Sequence, residues 1–205
     1  MGETLATGGA TRGWRTEATR RKLLDASDRL FYADGIRSTG VAAIADAAGV
    51  TKMTFYTHFA SKDELLCAYL RERDARWWEL LEGKLAEHGA PGDKLLAVFD
   101  AYRDSAVSGG LRGCAFINCA AEFPDRGHPA RAVMREHKAA MRQRLAELAS
   151  GAEEPEALAE GLFVLLEGAC VTAAMEGDEG VVDRARGLAE DLVAAAVARP
   201  GSSRG

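Results

Sequence analysis

The chain has 205 residues, 47% of them apolar and 28% charged, and a formal net charge of −5. That apolar content can fill a sizeable core and excludes a disordered polyelectrolyte, while the overall acidity by itself argues against a nucleic-acid binder. Alanine, leucine, arginine and glutamate dominate and β-branched or aromatic runs are scarce, so the expected fold class is all-α.

In chain order, residues 1–15 are rich in Gly, Thr and Ala and read as a disordered arm, matched by a tail at 200–205. The opening MGETLATGGATRGW lacks the apolar segment of a signal peptide. From Thr16, the residues Leu23, Leu24, Ala26, Ser27, Leu30 and Phe31 form an apolar stripe at helical spacing. Gly35 closes that helix by taking the left-handed conformation. A short helix over 41–48 sets Val41, Ile44, Ala45 and Ala48 on one face. Gly49-Val50 follows, then a third helix of barely two turns from Lys52 to His58. Ser61 opens a fourth as the N-cap of a capping box with Glu64, and it runs past Trp77 and Trp78 to about residue 85. Beyond 89-GAPGD-93, long helical patterns lie at about 93–107, 113–123, 129–150, 155–176 and 181–198. They are punctuated by Gly109-Gly110, 124-PDRGHP-129, Pro155 and 177-GDEG-180. The sum is about nine helices and no strand.

The charge is unevenly placed. Between Arg12 and Arg76 there are 12 Lys and Arg against 9 Asp and Glu, a net of +3, which leaves −8 for the rest. A basic front and an acidic back suit a protein that presents one end to a polyanion.

Two short helices joined by a glycine turn make a helix-turn-helix, whose second helix can enter the DNA major groove. Ile44, Val50, Phe55 and Phe59 point inward and set the interhelical angle, and Thr51 stands where an N-cap belongs. Lys52 and Thr54, in the first turn, can reach base edges, and Met53 can press on a thymine methyl. Tyr56, His58 and Lys62 lie further along and can donate to phosphates. Thr39, just before the second helix, can offer another phosphate its hydroxyl.

The run from Thr39 to Leu65, T-x-V-x-x-I-A-x-x-A-G-V-T-K-x-T-F-Y-x-H-F-x-S-K-D-E-L, resembles the N-terminal signature of the TetR/AcrR transcriptional regulators. The likeness extends from about Glu17 to about Trp77, roughly the first third of the chain. It implies a DNA-binding domain at 17–77, with the helix-turn-helix at 40–59, and a ligand-binding and dimerisation domain at 78–199. It also implies a homodimer on a palindromic double-stranded operator, and repression relieved by a small-molecule effector. Thr39, Thr51, Lys52, Thr54, Tyr56, His58 and Lys62 fall on positions that commonly touch DNA in the family. Met53, where a glycine or small residue is usual, and Ala42, where some members read a base with arginine, depart from the pattern and leave the operator sequence open.

The C-terminal half has to be read residue by residue. In 113-GCAFINCAAEF-123, Phe116, Cys119 and Phe123 share a helix face, and Cys114, Asn118 and Glu122 form a neighbouring stripe. One reading is an apolar pocket with a few convergent polar groups, walled by Phe99, Tyr102, Phe116, Asn118, Cys119, Glu122, Phe123, Met134, His137 and Met141. The other is a core helix whose Asn118 caps a nearby turn and whose Glu122 pairs with Arg103 or Arg131. The fourth helix joins this region to the DNA-reading head, so a small, largely apolar ligand there can alter the spacing of two recognition helices and release the operator. The last two patterns are apolar beyond one stripe. Leu158, Leu162, Leu165, Leu166, Leu188 and Leu192 are therefore expected to build a four-helix interface across a two-fold axis.

Rival functions find less support. Cys114, Cys119, His128 and His137 lie in one region, but no spacing demands the thiol, base and oxyanion site of an enzyme. A thiol-based redox regulator is the other alternative, yet Cys114 and Cys119 sit about 140° apart around a helix and cannot bridge without unwinding it. The four cysteines show no CxxC pair and no metal-ligand spacing with the four histidines, so neither metal nor cofactor is expected. No apolar run approaches the roughly 20 residues of a membrane span, and a cytoplasmic location with reduced thiols is expected.

Overall fold

The computed structural model describes the backbone of residues 8–197 and the side chains of residues 16–196. Among these the chain forms nine helices and no strand. They are α1 (Gly8–Asp34), α2 (Val41–Ala47), α3 (Lys52–His58), α4 (Lys62–Ala86), α5 (Pro91–Ser108), α6 (Ala115–Glu122), α7 (Pro129–Leu148), α8 (Pro155–Glu176) and α9 (Gly180–Val197). The expected tail at 200–205 and the first seven residues of the expected arm lie outside the described residues. Within them, α1 begins at Gly8 rather than at Thr16.

The termini follow from local chemistry. Ser61 Oγ accepts the Glu64 amide at 3.1 Å, as in a capping box, while Glu64 Oε2 reaches one residue beyond the N-cap and accepts the Ala60 amide at 2.7 Å. Proline occupies the first turn of α5, α7 and α8, where its missing N–H costs nothing. Gly35 and Gly49 close α1 and the α2–α3 turn with φ of +91° and +67°, a region that penalises any side chain.

Two buried clusters organise the chain. One packs α4, α5, α7, α8 and α9 around Leu81, Phe99, Met141, Leu162 and Val182. The other forms the head, with Leu23, Ile44, Phe55, Phe59, Leu66 and Tyr69 at its centre. Phe116, Cys119, Ala130, Val133 and Met134 belong to this second cluster, so α6 and the start of α7 complete the core of the head.

The expected dimer face needs correction on α8. Leu158, Leu162 and Leu166 are 8%, 0% and 3% exposed and serve the core of their own subunit, and Leu165 packs partly against it. The apolar residues left facing out are Val164, Val171 and Met175 on α8 and Leu188 and Leu192 on α9. The two α8 faces are both apolar, so periodicity could not say which points inward. By length and composition α8 is also apolar enough to cross a membrane, contrary to the sequence-based expectation, although 44% of that window is buried inside the protein.

Candidate functional site

The head presents one candidate surface. Thr51 Oγ1 accepts the Thr54 amide at 3.1 Å, the expected N-cap of α3, and its oxygen lies 2.9 Å from Thr54 Oγ1. Phe55 is fully buried and Phe59 nearly so, while Ile44 seals the facing helix. These anchors leave Lys52, Met53, Tyr56 and Thr57 on the outer face, with Met53 81% and Tyr56 55% exposed. Thr54 and His58 are half-buried at its edges. A methionine this exposed, beside an exposed tyrosine and lysine, is left uncovered by the rest of the described residues.

Two expected phosphate contacts are employed otherwise. Thr39 is only 4% exposed, and its hydroxyl donates to the Gly35 carbonyl at 2.7 Å. Lys62 Nζ donates to the Ile36 carbonyl beside the Phe31 ring, and burial lowers its pKa. Both satisfy carbonyls of the loop that follows α1, at Gly35 and Ile36.

The same loop receives a third fastening from far along the chain. Glu122 Oε1 accepts the Ile36 amide at 2.9 Å and Oε2 the Arg37 amide at 2.6 Å. Glu122 is therefore neither a pocket residue nor the partner of Arg103 or Arg131. It ties the end of α6 to the head. Asn118 Nδ2 donates to the Arg112 carbonyl at 2.9 Å, the turn-capping alternative.

A cavity of about 590 Å³ lies between the head and the C-terminal helices. Tyr102, Phe116, His137 and Met141, four of the expected wall residues, do line it. Phe99, Cys119 and Met134 are buried in core instead, and Phe123 packs against His128 with ring centroids 4.3 Å apart. The sequence reading missed Asp28 and Tyr32 of α1, Arg73, Arg76 and Trp77 of α4, Lys138 of α7, and Leu166, Glu167 and Cys170 of α8. Their rows at i and i+4, such as Asp28 with Tyr32 and Arg73 with Trp77, were visible as stripes. That four helices aim them at one volume was not.

The wall is chemically ordered. Arg73 Nε meets Asp28 at 2.7 Å and Arg76 reaches the same carboxylate at 3.0 Å, while the Arg73 guanidinium lies 4.6 Å from the Tyr32 ring centroid. Lys138 Nζ pairs with Glu167 at 2.6 Å and approaches Cys114 Sγ at 3.6 Å. Burial opposes the Lys138 charge, but Cys114 and Glu167 outweigh it and raise the pKa, keeping the ammonium protonated. His137 stacks on Phe116 at 3.8 Å and 7°, its Nδ1 2.7 Å from Asp74. Burial lowers its pKa despite that bond, so the ring is neutral at pH 7. All four cysteines are free thiols, and burial pushes Cys119 up to about 12, which leaves it inert.

An all-helical chain with a capped two-turn helix exposed after a glycine turn is a helix-turn-helix DNA-binding regulator. The family model for bacterial regulatory proteins of the tetR family matches residues 23–69, and that for the tetracyclin repressor-like C-terminal domain matches residues 91–188. The structure is similar to SCO4454, a TetR-family transcriptional regulator from Streptomyces coelicolor, with a TM-score of 0.83 and 30% identity over 88% of this chain and 97% of that one. The HTH-type transcriptional regulator YjdC of Escherichia coli is 26% identical over 90% of this chain and 98% of its own length. The regulator Rv1255c of Mycobacterium tuberculosis is 35% identical, but the match spans only 40% of this chain and 41% of that protein. The chain belongs to the TetR family of transcriptional regulators.

Proposed function

We propose that the protein is a cytoplasmic, non-catalytic repressor. A homodimer holds a palindromic operator through paired α3 helices and releases it when a small molecule fills the cavity. Lys52 and Thr54 read base edges, Met53 meets a thymine methyl, and Tyr56 and His58 bind phosphate. Thr39 and Lys62 serve the reading head indirectly, by fixing the loop before α2.

The observation that carries this reading is the course of α6. Its first turn supplies Phe116 to the cavity, and its last residue, Glu122, holds the Ile36 and Arg37 amides of the head. The α4 helix makes a parallel link, since Arg73 and Trp77 line the cavity while Leu66 and Leu70 sit in the core of the head. A ligand that displaces either helix shifts the head. Paired recognition helices must keep a separation of about 34–36 Å to fit successive major grooves, so a small shift suffices for release.

The test begins with a thermal-shift screen of the full-length protein, followed by operator binding measured by fluorescence anisotropy with each hit. Hits should release the operator from wild type and fail to do so from Phe116→Trp, which fills the cavity. Release that survives Phe116→Trp places the effector elsewhere.

A further inference from the structure

The walls of the cavity are specific enough to name a ligand class, an inference that rests on the proposed role of the cavity as effector site. Its aromatic donors are already committed to the protein. Tyr32 Oη donates to the Gly113 carbonyl at 3.1 Å, Tyr102 Oη to the Cys170 carbonyl at 3.4 Å, and Trp77 Nε1 to Met141 Sδ at 2.9 Å. What these rings offer a guest is their apolar surface, extended by the Phe116–His137 stack. Flat aromatic walls favour a flat aromatic body.

The charges do not balance. Arg29, Arg73, Arg76 and Lys138 line the cavity against only Asp28 and Glu167. One carboxylate, Asp28, serves two guanidinium groups. Lys138 carries three N–H donors, and Glu167 and Cys114 engage two of them. Asp74 lies close by, but its carboxylate is held by His137 and Trp78 and it does not line the cavity. In a partly dehydrated site an unmatched cation attracts an anion strongly and repels another cation. We infer that the cavity takes an aromatic organic anion, a flat apolar body bearing one carboxylate or sulfonate, with its charge between Lys138 and the Arg73–Arg76 pair.

Two dyes with one skeleton test this on the full-length protein: 8-anilinonaphthalene-1-sulfonate and its neutral counterpart N-phenyl-1-naphthylamine. Fluorescence titration should show the sulfonate binding about tenfold more tightly, as one charge-assisted contact allows. Phe116→Trp should weaken both dyes. Lys138→Met should weaken the sulfonate alone, and so should Arg76→Met, a change at a more exposed position that leaves no carboxylate unpaired. Equal affinity for the two dyes, or a sulfonate preference that survives both charge variants, overturns the anion inference while the cavity stands as an effector site. Dye binding insensitive to Phe116→Trp, or no binding at all, overturns the effector site and the anion inference together.

Discussion

His137 carries two loads, since it stacks on Phe116 in the cavity wall and bonds Asp74 on α4. Its folded pKa lies below the ordinary 6.5 because burial disfavours the imidazolium. A lowered folded pKa means that its contribution to stability is complete above pH 6.5 and drains away as the pH falls through the folded value. Melting temperatures recorded from pH 7.5 to pH 5 should therefore fall more steeply for wild type than for His137→Phe, and parallel curves would remove the residue from the acid response. On the DNA side, Thr54→Val should cost operator affinity on the order of 1–3 kcal/mol and relax preference at one base pair. Tyr56→Phe should instead weaken all sequences alike. Competition titrations against single-base operator variants separate the two outcomes, and unchanged affinity in both variants would displace α3 from the groove.

At the scale of the element, α6 shows what a sequence reveals and what it withholds. Its small apolar residues and its polar stripe were legible, because a carboxylate on such a helix demands a partner. The partner was not legible: Glu122 bonds amides at Ile36 and Arg37, and backbone amides leave no mark in a sequence. The recognition helix was legible almost entirely, since its cap, turn and anchors all lie within 20 residues of one another. The cavity wall failed for the opposite reason, being assembled from six helices across the chain. The grip of Glu122 makes a definite expectation. Glu122→Ala strands two amides, at about 1–3 kcal/mol each where they are shielded from water, and removes the carboxylate link between the end of α6 and the 36–37 loop. A cavity dye should bind this variant as it binds wild type, while effector-driven operator release should shrink. Undiminished release in an anisotropy titration would assign the signal to α4 alone.

For the whole molecule, the exposed apolar face of α8 and α9 is the surface on which the proposed homodimer would form. Val164→Glu and Leu192→Glu should yield monomers by light scattering with little change in subunit melting temperature, since both residues face out. Leu162→Ala, fully buried, should instead cost about 2–5 kcal/mol of stability and leave assembly intact. Dimers that persist in both glutamate variants would move the interface. The shared core of the head has a consequence of another kind. Because Phe116, Cys119, Ala130 and Met134 are buried in one cluster with Leu23 and Tyr69, a chimera joined at residue 77 inherits a foreign α6 and α7 beneath its own α1 and α4. Those grafted helices would have to supply both a matching apolar plug and a carboxylate to seat the 36–37 amides. Engineers who wish to transplant this operator specificity onto another sensor should therefore treat residues 113–134 as part of the transplant.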